Sequence, residues 1–130
     1  MIVADASAVV ELLLGGDVAA PIAARLLDAG ETVHVPHLLD VEVAHALRRY
    51  GLSGDLDAER GEQAIADLAD FPFQRYPHTA LLQRAWDLRH SLSAYDAVYV
   101  ALAEALEAPL VTRDARLARA RGHSARIELI

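Results

Sequence analysis

With 130 residues, no cysteine and a formal net charge of -7, the chain has the length of one domain, forms no disulfide or thiolate metal site, and lacks the bulk positive charge with which nucleic acid is usually held. Its apolar fraction is 54%, yet no stretch approaches the ~20 apolar residues of a membrane span, and Met1-Ile2-Val3-Ala4 lacks the basic and long apolar regions of a signal peptide. A cytoplasmic location without membrane attachment is expected. All cations are arginine, and an enzyme that recruits metal ions to act on nucleic acid stays open.

Ile2 to Asp5 is a short apolar run ending in a polar residue, and Ser7, read as a helix cap with a hydrogen bond to Asp5, opens Ala8-Val9-Val10-Glu11-Leu12-Leu13-Leu14. Gly15-Gly16 stops that helix. Asp17 is placed to cap a second helix through Ala29, closed by Gly30, and Thr32 to Val35 has the β-branched content of a second strand, ended by Pro36. Leu38 to Tyr50 repeats apolar residues at helical spacing as far as Gly51. Leu56 to Phe71 is a weaker helical pattern, and Phe73 to Tyr76 is a candidate third strand.

Thr79 to His90 and Ala94 to Leu106 read as helices, the second apolar nearly all round and therefore buried. Pro109 breaks it. Leu110-Val111-Thr112 is a fourth strand, Asp114 to Arg121 a short helix and Arg126 to Leu129 a closing strand. Strands alternating with helices predict one α/β domain over residues 1–130, with a mainly parallel sheet of about four to five strands covered on both faces. Function in such folds sits beyond the carboxyl ends of the strands.

Four acids stand out against this frame. Asp5 and Asp114 each follow a strand and precede a helix, where an Asx turn or a cap is the plainer explanation. Glu42 follows Leu38 by four residues and Leu39 by three, which puts it on or beside an apolar face, where an ionised carboxylate needs a partner. Its plainer explanation is a half-exposed border position; Asp40 suits the helix N-terminus instead. Asp96 is the only charge before Glu104 in its helix, and with Ser93 it has the spacing of a capping box. Clustered carboxylates repel one another unless a cation sits among them, and all-oxygen ligation selects Mg²⁺ or Mn²⁺. Such an ion polarises a phosphodiester and activates water for in-line attack.

These residues resemble the PIN-domain family, and within it the VapC toxins of bacterial VapBC toxin-antitoxin pairs. The resemblance spans the whole chain. It is carried by Ile2-Val3-Ala4-Asp5-Ala6-Ser7-Ala8, by Pro36-x-Leu38-x-x-Val41-Glu42, by Ser93-x-x-Asp96-Ala97-x-Tyr99-Val100-Ala101-Leu102-Ala103, and by Thr112-Arg113-Asp114 followed by Ala115-Arg116-Leu117. It implies a PIN-like three-layer α/β/α fold and a metal-dependent endoribonuclease. Asp5, Glu42, Asp96 and Asp114 would be its catalytic acids and metal ligands, with Ser7 and Thr112 as supporting hydrogen bonders. It also implies an RNA substrate, a homodimer, and a VapB antitoxin that wraps the toxin and blocks its site. VapC openings often read Asp-Thr-Ser or Asp-Ser-Ser; Ala6 departs from this at a position that need not be a ligand.

Other readings meet specific obstacles. A receiver-like phosphoacceptor domain normally needs a lysine, and the chain has none. Haloacid-dehalogenase-type phosphatases begin Asp-x-Asp, whereas position 7 is serine, and Gly15-Gly16 is no phosphate loop. A catalytically silent PIN-like interaction domain usually lacks some of the acids, and all four are present. His34, His37, His45 and His123 lack paired zinc spacing and read as surface or packing residues, and Trp86, Phe71 and Phe73 read as core. Arg113 and Arg116, with Arg119 and Arg121, form either a basic rim for RNA phosphates or a solvated helix face. Val9, Leu12 and Leu13 read as core, with an antitoxin groove as the alternative.

Overall fold

The computed structural model describes Met1–Ile130. In chain order the elements are β1 (Ile2–Ala4), α1 (Ala6–Leu14), α2 (Ala19–Leu26), β2 (Val33–Pro36), α3 (Leu38–Ser53), α4 (Ala58–Asp70) and β3 (Gln74–Tyr76). After a 3₁₀ turn at Thr79–Leu81 come α5 (Leu82–Asp87), α6 (Ala94–Leu106), β4 (Leu110–Thr112), α7 (Ala115–Ala118) and β5 (Ile127–Leu129). All four strand pairings are parallel, in the order β3-β2-β1-β4-β5. Helices cover both faces, giving the expected three layers. One is led by α6 over β1 and β2 with α5 against it, and α1 packs on α2, α3 and α4.

The apolar runs explain why β1, β2 and β4 are central. Ile2, Val3, Ala4, Val35, Leu110 and Val111 are fully buried, as strands enclosed on both faces require. Together with Val98 to Ala103 of α6 they belong to one cluster of 31 buried residues. No single helix is long and apolar enough to cross a membrane.

Several local readings need correction. Asp5, not Ser7, caps α1: its side chain accepts the Ala8 amide, while Ser7 lies in the first turn. Asp17 does not cap α2, which runs from Ala19 only to Leu26; the Val18 amide instead donates to Glu11 Oε1 at 2.9 Å. Pro36 belongs to β2, because it pairs with β3 beyond the last contact of β2 with β1, where no amide is required of it. Helix α3 runs through Gly51 to Ser53 and ends at Gly54, whose φ of 85° supplies the left-handed cap. The segment 79–90 splits into the 3₁₀ turn and a six-residue α5, and α7 has four residues, with Asp114 as its cap. Trp86 is not core: it is 63% exposed, with the Arg89 guanidinium 4.6 Å from its ring centre.

Candidate active site

The chain leaves β1 toward β2 on one side of the sheet and reaches β4 on the other, so the carboxyl ends of β1 and β4 flank the point where strand order reverses. Ligands of open parallel sheets bind at such a point. Asp5 stands directly after β1, and Thr112 ends β4.

Asp5 is held on both oxygens. Ser7 Oγ donates to Oδ1 at 2.7 Å, the Ala8 amide donates to the same oxygen at 3.1 Å, and Thr112 Oγ1 donates to Oδ2 at 2.6 Å. Thr112, itself fully buried, accepts the Asp114 amide at 2.9 Å, and Ser7 accepts the Arg113 amide at the same distance. The two hydroxyls predicted as supports therefore tie the end of β1 to the turn after β4. Burial pushes the Asp5 carboxyl above its ordinary range; the three hydrogen bonds oppose this and the charge of Asp96 adds to it.

Glu42 projects from the second turn of α3 and accepts Tyr99 Oη at 2.5 Å. Its proton affinity is raised by burial, against the pull of that hydrogen bond, and further by Asp96 and Asp5. Asp96 lies at the start of α6, where its amide donates to Ser93 Oγ at 3.2 Å. Only half of the predicted capping box forms, because the carboxylate does not return a bond to the Ser93 amide. Burial raises its proton affinity too, against the pull of the Ser93 side chain, while Asp114 repels it and Arg116 attracts it. Asp114 differs: burial raises its proton affinity, but the Arg116 guanidinium and the amides of Arg116 and Leu117 bring it below the ordinary carboxylate range.

The four predicted acids thus lie within electrostatic reach of one another, Asp5 with Glu42 and Asp96, and Asp96 with Asp114. No three of them surround a common point as ion ligands, since Glu42 is turned to Tyr99 and Asp114 to Arg116. Neither predicted RNA-contacting arginine is unpaired. Arg113 Nη1 meets Glu11 Oε2 at 2.6 Å, and Arg116 Nη2 meets Asp114 Oδ2 at 3.0 Å.

Two residues of this site escaped the sequence reading. Tyr99 falls three positions after Asp96, so helical spacing was a signal, but a tyrosine among apolar residues looks like core. Glu11 is a lone acid in an apolar helix, and it holds both Val18 and Arg113.

A family profile for the PIN domain matches residues 2–123. Ribonuclease VapC1 of Mycobacterium tuberculosis is 45% identical over 129 residues, covering 98% of this chain and 96% of the relative. The chain is a PIN-domain protein of the VapC family. Ribonuclease VapC12 of the same organism is 44% identical over 130 residues, covering 100% of this PIN domain and 99% of its own length. The crystal structure of VapBC2 from Rickettsia felis, bound to a DNA fragment from their promoter, superposes with a TM-score of 0.70 at 16% identity, covering 99% of this chain and 98% of that one. At that identity the likeness concerns the fold.

Proposed function

We propose that this PIN domain is an Mg²⁺- or Mn²⁺-dependent endoribonuclease and the toxin of a VapBC-type pair, cytoplasmic and homodimeric, restrained by a VapB-type antitoxin. One observation carries the reading. Three carboxylates from β1, α3 and α6 are gathered where burial and mutual repulsion raise their proton affinity, in a chain that aligns nearly end to end with ribonucleases.

A divalent cation suits this set of donors, because hard oxygen ligands that disfavour one another's charge are stabilised by it. Asp5, Glu42, Asp96 and Asp114 would hold it, once Glu42 and Asp114 turn from Tyr99 and Arg116. When bound, such an ion polarises the phosphodiester and favours deprotonation of the attacking water. The chain's own residues supply positioning. Ser7, Thr112 and the Ala8 amide fix both Asp5 oxygens, and the Tyr99 hydroxyl holds Glu42 at the site until the ion takes it.

The test is cleavage of unpaired RNA by the purified chain with Mg²⁺ or Mn²⁺, in the presence and absence of excess EDTA. Cutting that requires the ion is expected. Cutting that survives thorough chelation overturns the metal dependence, and metal binding without cutting of any RNA points to a silent interaction domain.

A further inference from the structure

Beside Glu42 the surface opens into a groove of about 660 Å³ between α1 and α3, lined also by Tyr95, the residue preceding Asp96. Its walls carry both charge signs in equal number, Glu11 and Glu42 against Arg49 and Arg113. Glu11 and Arg113 neutralise each other at 2.6 Å. Arg49, also in the wall, is exposed and forms no ion pair, unlike Arg113 across the groove. Glu42 is taken up by the Tyr99 hydroxyl, so Arg49 is the groove's one arginine outside an ion pair, its guanidinium 5.9 Å from the centre of the Tyr50 ring. Two phenol rings of the wall meet solvent, Tyr95 at 61% exposure and Tyr50 at 37%.

An exposed Tyr95 ring and a guanidinium outside any ion pair, continuous with the proposed phosphodiesterase site, match the chemistry of an unpaired nucleotide. Bases stack on phenol rings whatever their identity, and a guanidinium receives a phosphate through two parallel hydrogen bonds. A duplex cannot present a base face to such a ring. A protein segment would suit the apolar part of the groove, including the exposed Val41, but would leave Arg49 without an anion unless it carried an acid.

We propose that this groove is a nucleotide subsite flanking the cut. Tyr95 stacks a base adjacent to the scissile phosphate, and Arg49 holds a neighbouring phosphate of the same strand. The assignment rests on the ribonuclease reading and adds the residues that select single strands and position them.

The experiment uses the full chain with Mg²⁺ or Mn²⁺ and short unstructured RNAs from a random-sequence pool. The preferred cut is mapped first, and the best substrate is then remade with an abasic nucleotide at each position around it. Tyr95→Ala is expected to raise KM by about five- to a hundredfold, the range for loss of one stacked base, with a smaller change in kcat. Tyr95→Phe keeps the ring and should keep the wild-type KM. One abasic position should weaken the wild type while leaving Tyr95→Ala indifferent, which a merely structural role for the ring would not produce. Arg49→Ala should raise KM and flatten its dependence on salt.

Both side chains are exposed, so folding is expected to survive, and circular dichroism checks it. If the wild type cuts and Tyr95→Ala and Arg49→Ala match it in KM and abasic profile, the subsite is overturned and the ribonuclease reading stands. Loss of binding to a co-purified protein partner in these variants, with RNA kinetics unchanged, overturns it equally by assigning the groove to that partner. A wild type that cuts no RNA overturns the ribonuclease reading, and the subsite with it.

Discussion

Asp96 tests whether a single carboxylate can serve both helix and chemistry. Its amide is taken by Ser93, as in a cap, while its own carboxylate leaves the Ser93 amide alone and is repelled by Asp114. The two roles therefore separate by substitution. Asp96→Asn should lose at most about 1 kcal/mol of metal-free stability, or gain some as repulsion is relieved, while cleavage falls by roughly a hundredfold. Ser93→Ala should lose about 1 kcal/mol and cut nearly normally once folded. Denaturant unfolding and cleavage rates on the same preparations decide it: an active Asp96→Asn beside a more damaged Ser93→Ala removes Asp96 from the site.

His34 offers an independent handle at the same scale. It is 6% exposed, with Nε2 2.8 Å from Thr32 Oγ1 and Nδ1 2.7 Å from Tyr76 Oη, and burial lowers its pKa from the ordinary 6.5. A histidine whose pKa is depressed by folding contributes stability above its unfolded pKa and loses it as pH falls toward the folded value. Unfolding followed from neutral pH into the range below 6.5 should show this loss, at no more than about 1.4 kcal/mol per pH unit for one proton. His34→Gln should flatten that part of the profile; an unchanged profile would mean other groups set it.

Among the elements, legibility followed how local the decisive contact is. Helix α6 and strand β4 have the bounds read from sequence, because a largely apolar composition and Pro109 decide them within the segment. The start of α2 was misplaced because the residue that satisfies Val18 is Glu11, seven positions back on another helix. Gly51 looked like the end of α3, but it is exposed helix interior, and the left-handed turn falls to Gly54. The acids could be read because each sits at a strand end, a helix start or an apolar face, whereas the pairing of Arg113 with Glu11 spans 102 residues and leaves no local mark.

One element end is strained in a way that sequence conceals. Helix α6 closes on Glu107 at φ 51°, the only non-glycine residue with positive φ. Glu107→Gly should therefore raise stability by about 0.5 to 1 kcal/mol, since glycine adopts this conformation without Cβ strain. A lower denaturation midpoint in that variant would show that the Glu107 side chain has a role outweighing the strain.

For the molecule as a whole, the acids of the site and the net charge of -7 act together. Folding raises the proton affinities of Asp5, Glu42 and Asp96, so their contribution to stability is largest when protonated and is lost as pH rises through their folded values. Glu104 works in the opposite direction: its hydrogen bonds with Arg84 and Ser124 hold it down at about 2, so it contributes stability above the ordinary carboxylate range and loses it in acid. At neutral pH the ionised acids of the site therefore cost the fold stability without a cation. Mg²⁺ or Mn²⁺ at a hundredfold excess over its Kd should stabilise the chain by about 2 to 3 kcal/mol. The accompanying rise in Tm is on the order of 5 to 15 °C. A melting temperature indifferent to both ions would remove the metal site.

The place of β1 at the centre of the sheet also bears on when this molecule can act. Asp5 and Thr112, the hydroxyl that fixes its second oxygen, lie 107 positions apart, and β1 meets its neighbour β4 across the same span of chain. The edge where the acids gather therefore closes only once the β4 segment is in place, because β1 and its turn cannot fix Asp5 alone. A chain truncated before Leu110 should leave RNA uncut where a chain that carries β4 cuts it.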